Sequence, residues 1–220
     1  MKFKFMTGVA TIAVSCTLGA MVLAPQSGAS PSGQNSSWHV GYYTPSNRTL
    51  SMAQAGPGGL GTVSFTNMAN TALLLSTQGG SGYLGNDLNE TVTATFHISG
   101  STGNFMYYGE PDACGTPANT RLFFETSYAG GFDFTKYWWA DSAFAYLGDG
   151  DFTLTATISP AGGWSDWNGQ PSASNGPAFV GAASNVTGIG LSFGGGCGFE
   201  NGVGTTDGSG SLTLDSFSVL

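Results

Sequence analysis

Charged side chains are scarce in this 220-residue chain, at 8% of the total. Basic residues are scarcer still, five Lys and Arg against thirteen Asp and Glu. A net charge of −8 gives no electrostatic footprint for a phosphate backbone, so nucleic acid is not an expected partner. Only two histidines, His39 and His97, and three cysteines are present. The two cysteines beyond the N-terminal run have no neighbouring His pair, which is too little for a zinc site. No His-Glu-x-x-His pair or phosphate loop occurs, so the usual marks of metalloprotease and nucleotide chemistry are missing. Sparse charge signals disorder only where apolar residues are sparse too. Here 40% of residues are hydrophobic and 13% aromatic, enough to build a core. The 36 glycines follow no Gly-x-y period, which excludes collagen.

The first 29 residues read as a signal peptide. Lys2 and Lys4 begin it, an apolar run from Phe5 to Ala24 follows, and small residues come next. Cleavage after Ala29, with Ser27 at the minus-three position, fits the small-x-small rule. An uncleaved anchor is the alternative, because the run is nearly long enough to span a bilayer. Removing residues 1–29 takes two basic residues and no acidic ones, leaving 3 − 13 = −10. The expectation is a secreted, extracellular protein that is not a membrane protein once the leader is gone. Cys114 and Cys197 then remain, each beside glycine. In an oxidising compartment such a pair is expected to form a disulfide. It would close a loop of about 80 residues and add roughly 4 kcal/mol by the chain-entropy model.

Residues 30–37 are a polar linker, and 38–220 read as one domain. Short β-type runs alternate there with turn clusters. Thr91 to Ile98 has period two, with Val92, Ala94, Phe96 and Ile98 on one face; Phe152 to Ile158 repeats it with Phe152, Leu154, Ala156 and Ile158. Further runs lie at Val63 to Phe65, Ala72 to Leu75, Phe105 to Tyr108, Arg121 to Thr126, Phe134 to Trp139, Val186 to Phe193 and Leu212 to Val219. Gly, Pro, Asn, Asp or Ser bound each one. Only residues 177–185 invite a short helix. The pattern specifies an all-β fold, a two-sheet antiparallel β-sandwich.

Aromatic residues in polar surroundings carry the strongest functional hint. Sugar rings stack their C–H faces on Trp and Tyr, while their hydroxyls need polar neighbours. Trp164 and Trp167 share a segment with Asp166, Asn168 and Gln170 and are the leading ligand-binding candidates, with core packing as the competing reading. Trp138 and Trp139 are adjacent, so on a strand they point to opposite faces; one is expected in the core and the other at a rim. Asp149, Asp151 and Asp207 lie in turns and offer oxygen ligands for a hard cation; an ordinary turn explains them equally well. Glu125 and Glu200 are the candidate acid–base pair for glycoside hydrolysis, which needs two carboxyls about 5–10 Å apart. If Cys114 and Cys197 are bonded, Glu110 and Asp112 come near Glu200 as an acidic rim.

Several of these segments resemble secreted carbohydrate-binding modules and galactose-binding-like domains of jelly-roll form. The carriers are Leu122 to Thr126, Tyr137-Trp138-Trp139, Trp164 to Trp167, Val186 to Gly195 and the closing Leu212 to Val219. The resemblance covers roughly residues 90–220. It implies a polysaccharide or glycan partner and, through the acid in the last strand, a structural calcium with Asp215 as a ligand. The expected function is a secreted, non-catalytic glycan-binding sandwich. The alternatives are a structural or surface-associated extracellular protein, and a polysaccharide hydrolase.

Overall fold

Alternation is the simplest instruction in the chain, and Thr91–Ser99 (β5) follows it residue by residue. Val92, Ala94, Phe96 and Ile98 are buried, while the intervening Thr93, Thr95 and His97 face outward. The computed structural model describes residues 37–44, 47–52, 59–67, 70–78, 81–127 and 133–220, all within the unit Gly33–Leu220. The expected leader and all but the last residue of the linker lie outside the described residues.

Two antiparallel sheets form the fold, as the alternation requires. The smaller has the order β3 (Gly61–Ser64), β13 (Ser211–Val219), β5, β9 (Gly150–Thr157). Its outer face carries mostly hydroxyls. Thr93 pairs with Thr155 and Thr95 with Thr153, each at 3.2 Å between hydroxyl oxygens. Threonine suits a pleated, half-exposed surface through its branched Cβ. A register shift between Leu214 and Ser216 sets Asp215 out of the alternation.

The larger sheet has the order β10 (Trp164–Asp166), β8 (Tyr137–Tyr146), β7 (Asn119–Glu125), β11 (Gly188–Gly194), β4 (Thr71–Ser76), β1 (Trp38–Thr44), β2 (Asn47–Met52). Two three-residue strands, β6 (Phe105–Tyr107) and β12 (Val203–Thr205), extend it beside β4. The N-terminal third therefore contributes to both sheets. Its inner face sends Leu74, Leu122, Phe124, Trp138, Ile189, Leu191 and Phe193 into the main core. A second, smaller apolar cluster sits on the outer face: Ala72, Leu73, Leu75, Phe123 and Trp139, overlaid by Tyr137 and Phe199. Both faces of β4 are thus covered, which is why its sequence is a continuous apolar run and not an alternating one.

One helix, α1 (Gly176–Ala183), lies where residues 177–185 suggested it. Pro177 falls in its first turn, where the missing N–H costs nothing. Phe179, Ala182 and Ala183 are its buried residues. The Phe179 ring meets Trp138 at 4.9 Å, Phe124 at 5.6 Å and Trp164 at 6.4 Å. This helix seals one end of the sandwich with a single aromatic plug.

Candidate functional site

The segment expected to be an aromatic loop is instead an edge strand followed by a tight turn. Trp164, Ser165 and Asp166 pair with Ala140, Trp139 and Trp138. The chain then reverses: Gly169 N–H donates to Asp166 O at 2.8 Å, and Ser172 N–H to Trp164 O at 2.7 Å. Gly169 has φ +72°, a left-handed conformation that a Cβ disfavours.

Three of the expected ligand residues therefore serve the fold. Trp164 is 1% exposed, its ring 5.0 Å from Phe124, its indole N–H donated to Thr157 O at 2.8 Å. Trp138 is buried and donates to Thr135 O at 2.9 Å. Neither ring can stack on a sugar. Asp166 is buried too, and its Oδ1 accepts the backbone N–H groups of Asn168 and Gln170 at 2.9 and 3.0 Å. It organises the turn and does not face a ligand. Trp164 and Asp166 depart from the sequence reading, and Trp138 is the core member expected of its pair. For the two indoles the physical reason includes α1, whose Phe179 supplies an apolar partner that the local sequence does not show. Asn168 and Gln170 are exposed at the turn.

Trp167 points the other way and is 38% exposed. Its ring lies 5.6 Å from Trp139 and 5.7 Å from Tyr137, both edge-on. Trp139 is on the outer face of the large sheet, opposite Trp138, as strand geometry demands. It is nevertheless almost covered, because Phe199 stacks on it at 5.5 Å with an interplanar angle of 21°. The Trp139 indole N–H donates to Ser192 Oγ at 2.9 Å, and that hydroxyl donates to Phe199 O at 3.0 Å. Together Trp139, Trp167, Cys197, Gly198, Phe199, Glu200 and Asn201 line a depression of about 250 Å³. Glu200 is 4% exposed.

The wall carrying Phe199 to Asn201 is held by the Cys114–Cys197 disulfide, with Cα atoms 5.4 Å apart. Asp112 accepts the N–H groups of Cys197, Cys114 and Gly115 at 3.0 to 3.1 Å. Those donors, Cys197 first, hold its carboxyl below the usual aspartate range. Gly195 and Gly196 fit because a Cβ would strike the Tyr107 ring and the Asp112 carboxylate respectively. Asn201 completes the hairpin: its side-chain amide donates to Tyr108 O and Gly195 O and accepts from Gly195 N–H.

Beyond Phe199 the apolar surface continues along β7 and β8. The Arg121 guanidinium lies 4.9 Å from the Phe199 ring centre and 5.2 Å from that of Phe144. Phe144 and Tyr146 are exposed and 5.3 Å apart. Asp141 faces Arg121 Nη1 at 3.7 Å and accepts the Ser165 hydroxyl at 2.8 Å. Burial pushes the Asp141 carboxyl up, against the opposing pull of Ser165 and Arg121. Phe199, Asn201, Phe144 and Tyr146 were not singled out from the sequence. The one available signal was Cys197, whose expected bond lies in this wall.

Asp215 sits on the smaller sheet, where burial raises its carboxyl and His97 nearby lowers it. His97 Nδ1 is 2.8 Å from Asp151 Oδ1. Among the described residues the one set of three potential ligand atoms is Asp112, Cys114 and Cys197, and the two sulfurs there are already bonded to each other. Asp215 is therefore not part of any such set.

Fold and site together define a two-sheet β-sandwich with an aromatic-lined depression on the outer face of its larger sheet. No family model matches the chain, and no curated protein does. Among solved structures a xylan-binding module CBM15 aligns over 80% of this chain and 90% of its own, with 12% identity and a TM-score of 0.38. At that distance the alignment assigns neither ligand nor residue here.

Proposed function

We propose that this is a secreted, non-catalytic glycan-binding protein whose ligand rests against Trp167 and enters the depression beside Trp139. One observation carries the reading: a 38%-exposed indole stands at the rim of a depression also lined by Glu200 and Asn201. Large aromatic rings are costly to leave in water, and an exposed ring beside hydrogen-bonding groups matches the two-sided character of a sugar. Asn168 and Gln170, exposed on the same turn, supply further donors and acceptors. A single stacking contact binds weakly, so retention on a polymer gains from many repeats of the ligand. The glycan class is a neutral one, because a surface of net negative charge disfavours anionic chains.

The test is retention on insoluble polysaccharides and a glycan array, using the mature protein and the Trp167→Ala variant. Selective retention that the substitution removes supports the reading. Release of soluble product, abolished in Glu200→Gln, replaces it with hydrolysis. Self-association indifferent to every sugar replaces it with a structural role.

A further inference from the structure

The two sheets present different outer faces to water. The smaller one shows mostly hydroxyls, with His97, Asp151 and Asp215 among them. Among the described residues the exposed aromatic side chains are Tyr108, Phe134, Phe144, Tyr146 and Trp167. Each of these belongs to the larger sheet or to a segment bonded beside its depression. Phe134 O accepts the Trp167 N–H at 3.4 Å, and Tyr108 O accepts from the Asn201 side-chain amide at 2.9 Å. Phe144 and Tyr146 lie further along β8, paired with Arg121 and Asn119 of β7. Exposed apolar surface gathered on one face marks a contact site.

The register of β7 with β8 measures its length. Tyr137, whose ring meets Trp167, pairs with Glu125, and Tyr146 pairs with Asn119. Those partners are six positions apart on β7, or about 20 Å at about 3.3 Å per residue. A single sugar ring cannot touch both ends, whereas a run of consecutive rings can. The ground between them is aromatic and fixed. Phe199 covers Trp139, and the Arg121 guanidinium lies against the Phe199 and Phe144 rings at 4.9 and 5.2 Å. Arg121 Nε donates to Asn119 Oδ1 at 3.2 Å, and its Nη1 faces Asp141 Oδ1 at 3.7 Å. A surface held in place beforehand gives up little freedom on binding. Where β8 slips register against Arg121 and Phe123, Asp141 and Ser142 come out exposed beside this line of rings.

We propose that this face takes a neutral, linear polysaccharide lengthwise, with Phe144 and Tyr146 as a second aromatic contact beyond the depression. On the glycan reading of Trp167, which this requires, the ligand is an internal stretch of chain and not a chain end. One sugar ring stacks on Trp167, later rings pass Phe199 and Arg121, and another stacks on Tyr146. Asp141 and Ser142 offer partners for sugar hydroxyls along the way. Two aromatic contacts on one chain act together, so affinity grows with chain length until both are reached and then levels off.

The experiment is isothermal titration calorimetry of the full mature protein with cello-, xylo- and laminari-oligosaccharides, each series running from disaccharide to hexasaccharide. In a series that binds, wild type is expected to gain at least about tenfold in affinity from the shortest member to the longest. Tyr146→Ala is expected to lose that gain while binding the disaccharide like wild type, and Tyr146→Phe to keep it. Should Tyr146→Ala fail to fold by circular dichroism, Phe144→Ala serves, with the same loss expected. Trp167→Ala is expected to weaken every member. Affinity that does not change with length in wild type overturns the lengthwise mode and leaves the contact at Trp167 standing. So does a folded Tyr146→Ala that keeps the gain. Binding of no series, or binding that Trp167→Ala leaves unchanged, overturns the glycan site itself and the second contact with it.

Discussion

Trp164 and Trp167 lie three residues apart, and replacing each by alanine is expected to damage different properties. Trp164 is buried between Phe124 and Phe179 and donates its indole N–H to Thr157 O. Truncating a buried Trp costs about 3–5 kcal/mol, and the lost hydrogen bond adds about 1 kcal/mol. The sum, about 4–6 kcal/mol, matches the whole stability of a domain at the lower end of the usual range of about 5–15 kcal/mol. Trp167 already shows more than a third of its surface to water and makes two edge contacts, to Trp139 and Tyr137. At about 0.5–1.5 kcal/mol for each aromatic pair, loss of these two contacts costs about 1–3 kcal/mol. Urea unfolding followed by Trp fluorescence and circular dichroism reads the first quantity. Affinity electrophoresis in gels cast with a retained polysaccharide reads the second. Trp167→Ala is expected to fold and to lose at least about tenfold in affinity, or 1.4 kcal/mol. Trp164→Ala is expected to be strongly destabilised. If Trp167→Ala is retained like wild type, the binding surface is misassigned. If Trp164→Ala keeps its stability and loses binding, the assignment of core and surface is inverted.

Replacing Cys114 and Cys197 by serine opens a loop with a sequence separation of 83, expected to cost about 4 kcal/mol in the chain-entropy account and to weaken glycan retention through the Phe199–Asn201 wall; denaturant midpoints and the same gels measure both. His97 is held above its ordinary value chiefly by its hydrogen bond to Asp151. The pair therefore stabilises the fold below the unfolded His value, and the effect disappears as pH rises through the raised folded value. An NMR titration is expected to show the elevated midpoint and its return on Asp151→Asn; an unchanged midpoint contradicts the assignment. Intact mass of exported protein is expected to place the new N-terminus at Ser30, and a mass retaining Met1 to Ala24 rules out cleavage.

What the sequence disclosed was local. Val92 to Ile98 and Leu154 to Ile158 declare their buried faces by alternation, and both segments lie in the core of the smaller sheet. Cys114 and Cys197 advertised their bond by number and setting. The opposite faces of Trp138 and Trp139 followed from strand geometry, although Trp139 is covered far more than a rim position suggests. The misreading of Trp164 has a definite cause. A three-residue strand has too few positions to show a period, and the two rings beside this indole come from elsewhere: Phe124 from β7 and Phe179 from a helix that begins a dozen residues later. The aromatic depression was hidden for the same reason. Phe199 sits in a glycine-rich hairpin with no pattern of its own, and only long-range pairing brings it over Trp139.

The position of β13 between β3 and β5 has a kinetic consequence. Thr62 and Thr213 face each other across a separation of 151 residues, and β13 follows both of its neighbours in the chain. A chain delivered from its N-terminus must hold β3, and the β13-facing edge of β5, unpaired until Leu212, Leu214 and Phe217 arrive beside their inward residues. Contacts so distant in sequence slow folding, because the loop must close before any pairing rewards it. The smaller sheet thus behaves as a latch thrown last. A nascent chain lacking residues 211–219 is a candidate for aggregation, whereas one that has just received them can close the smaller sheet.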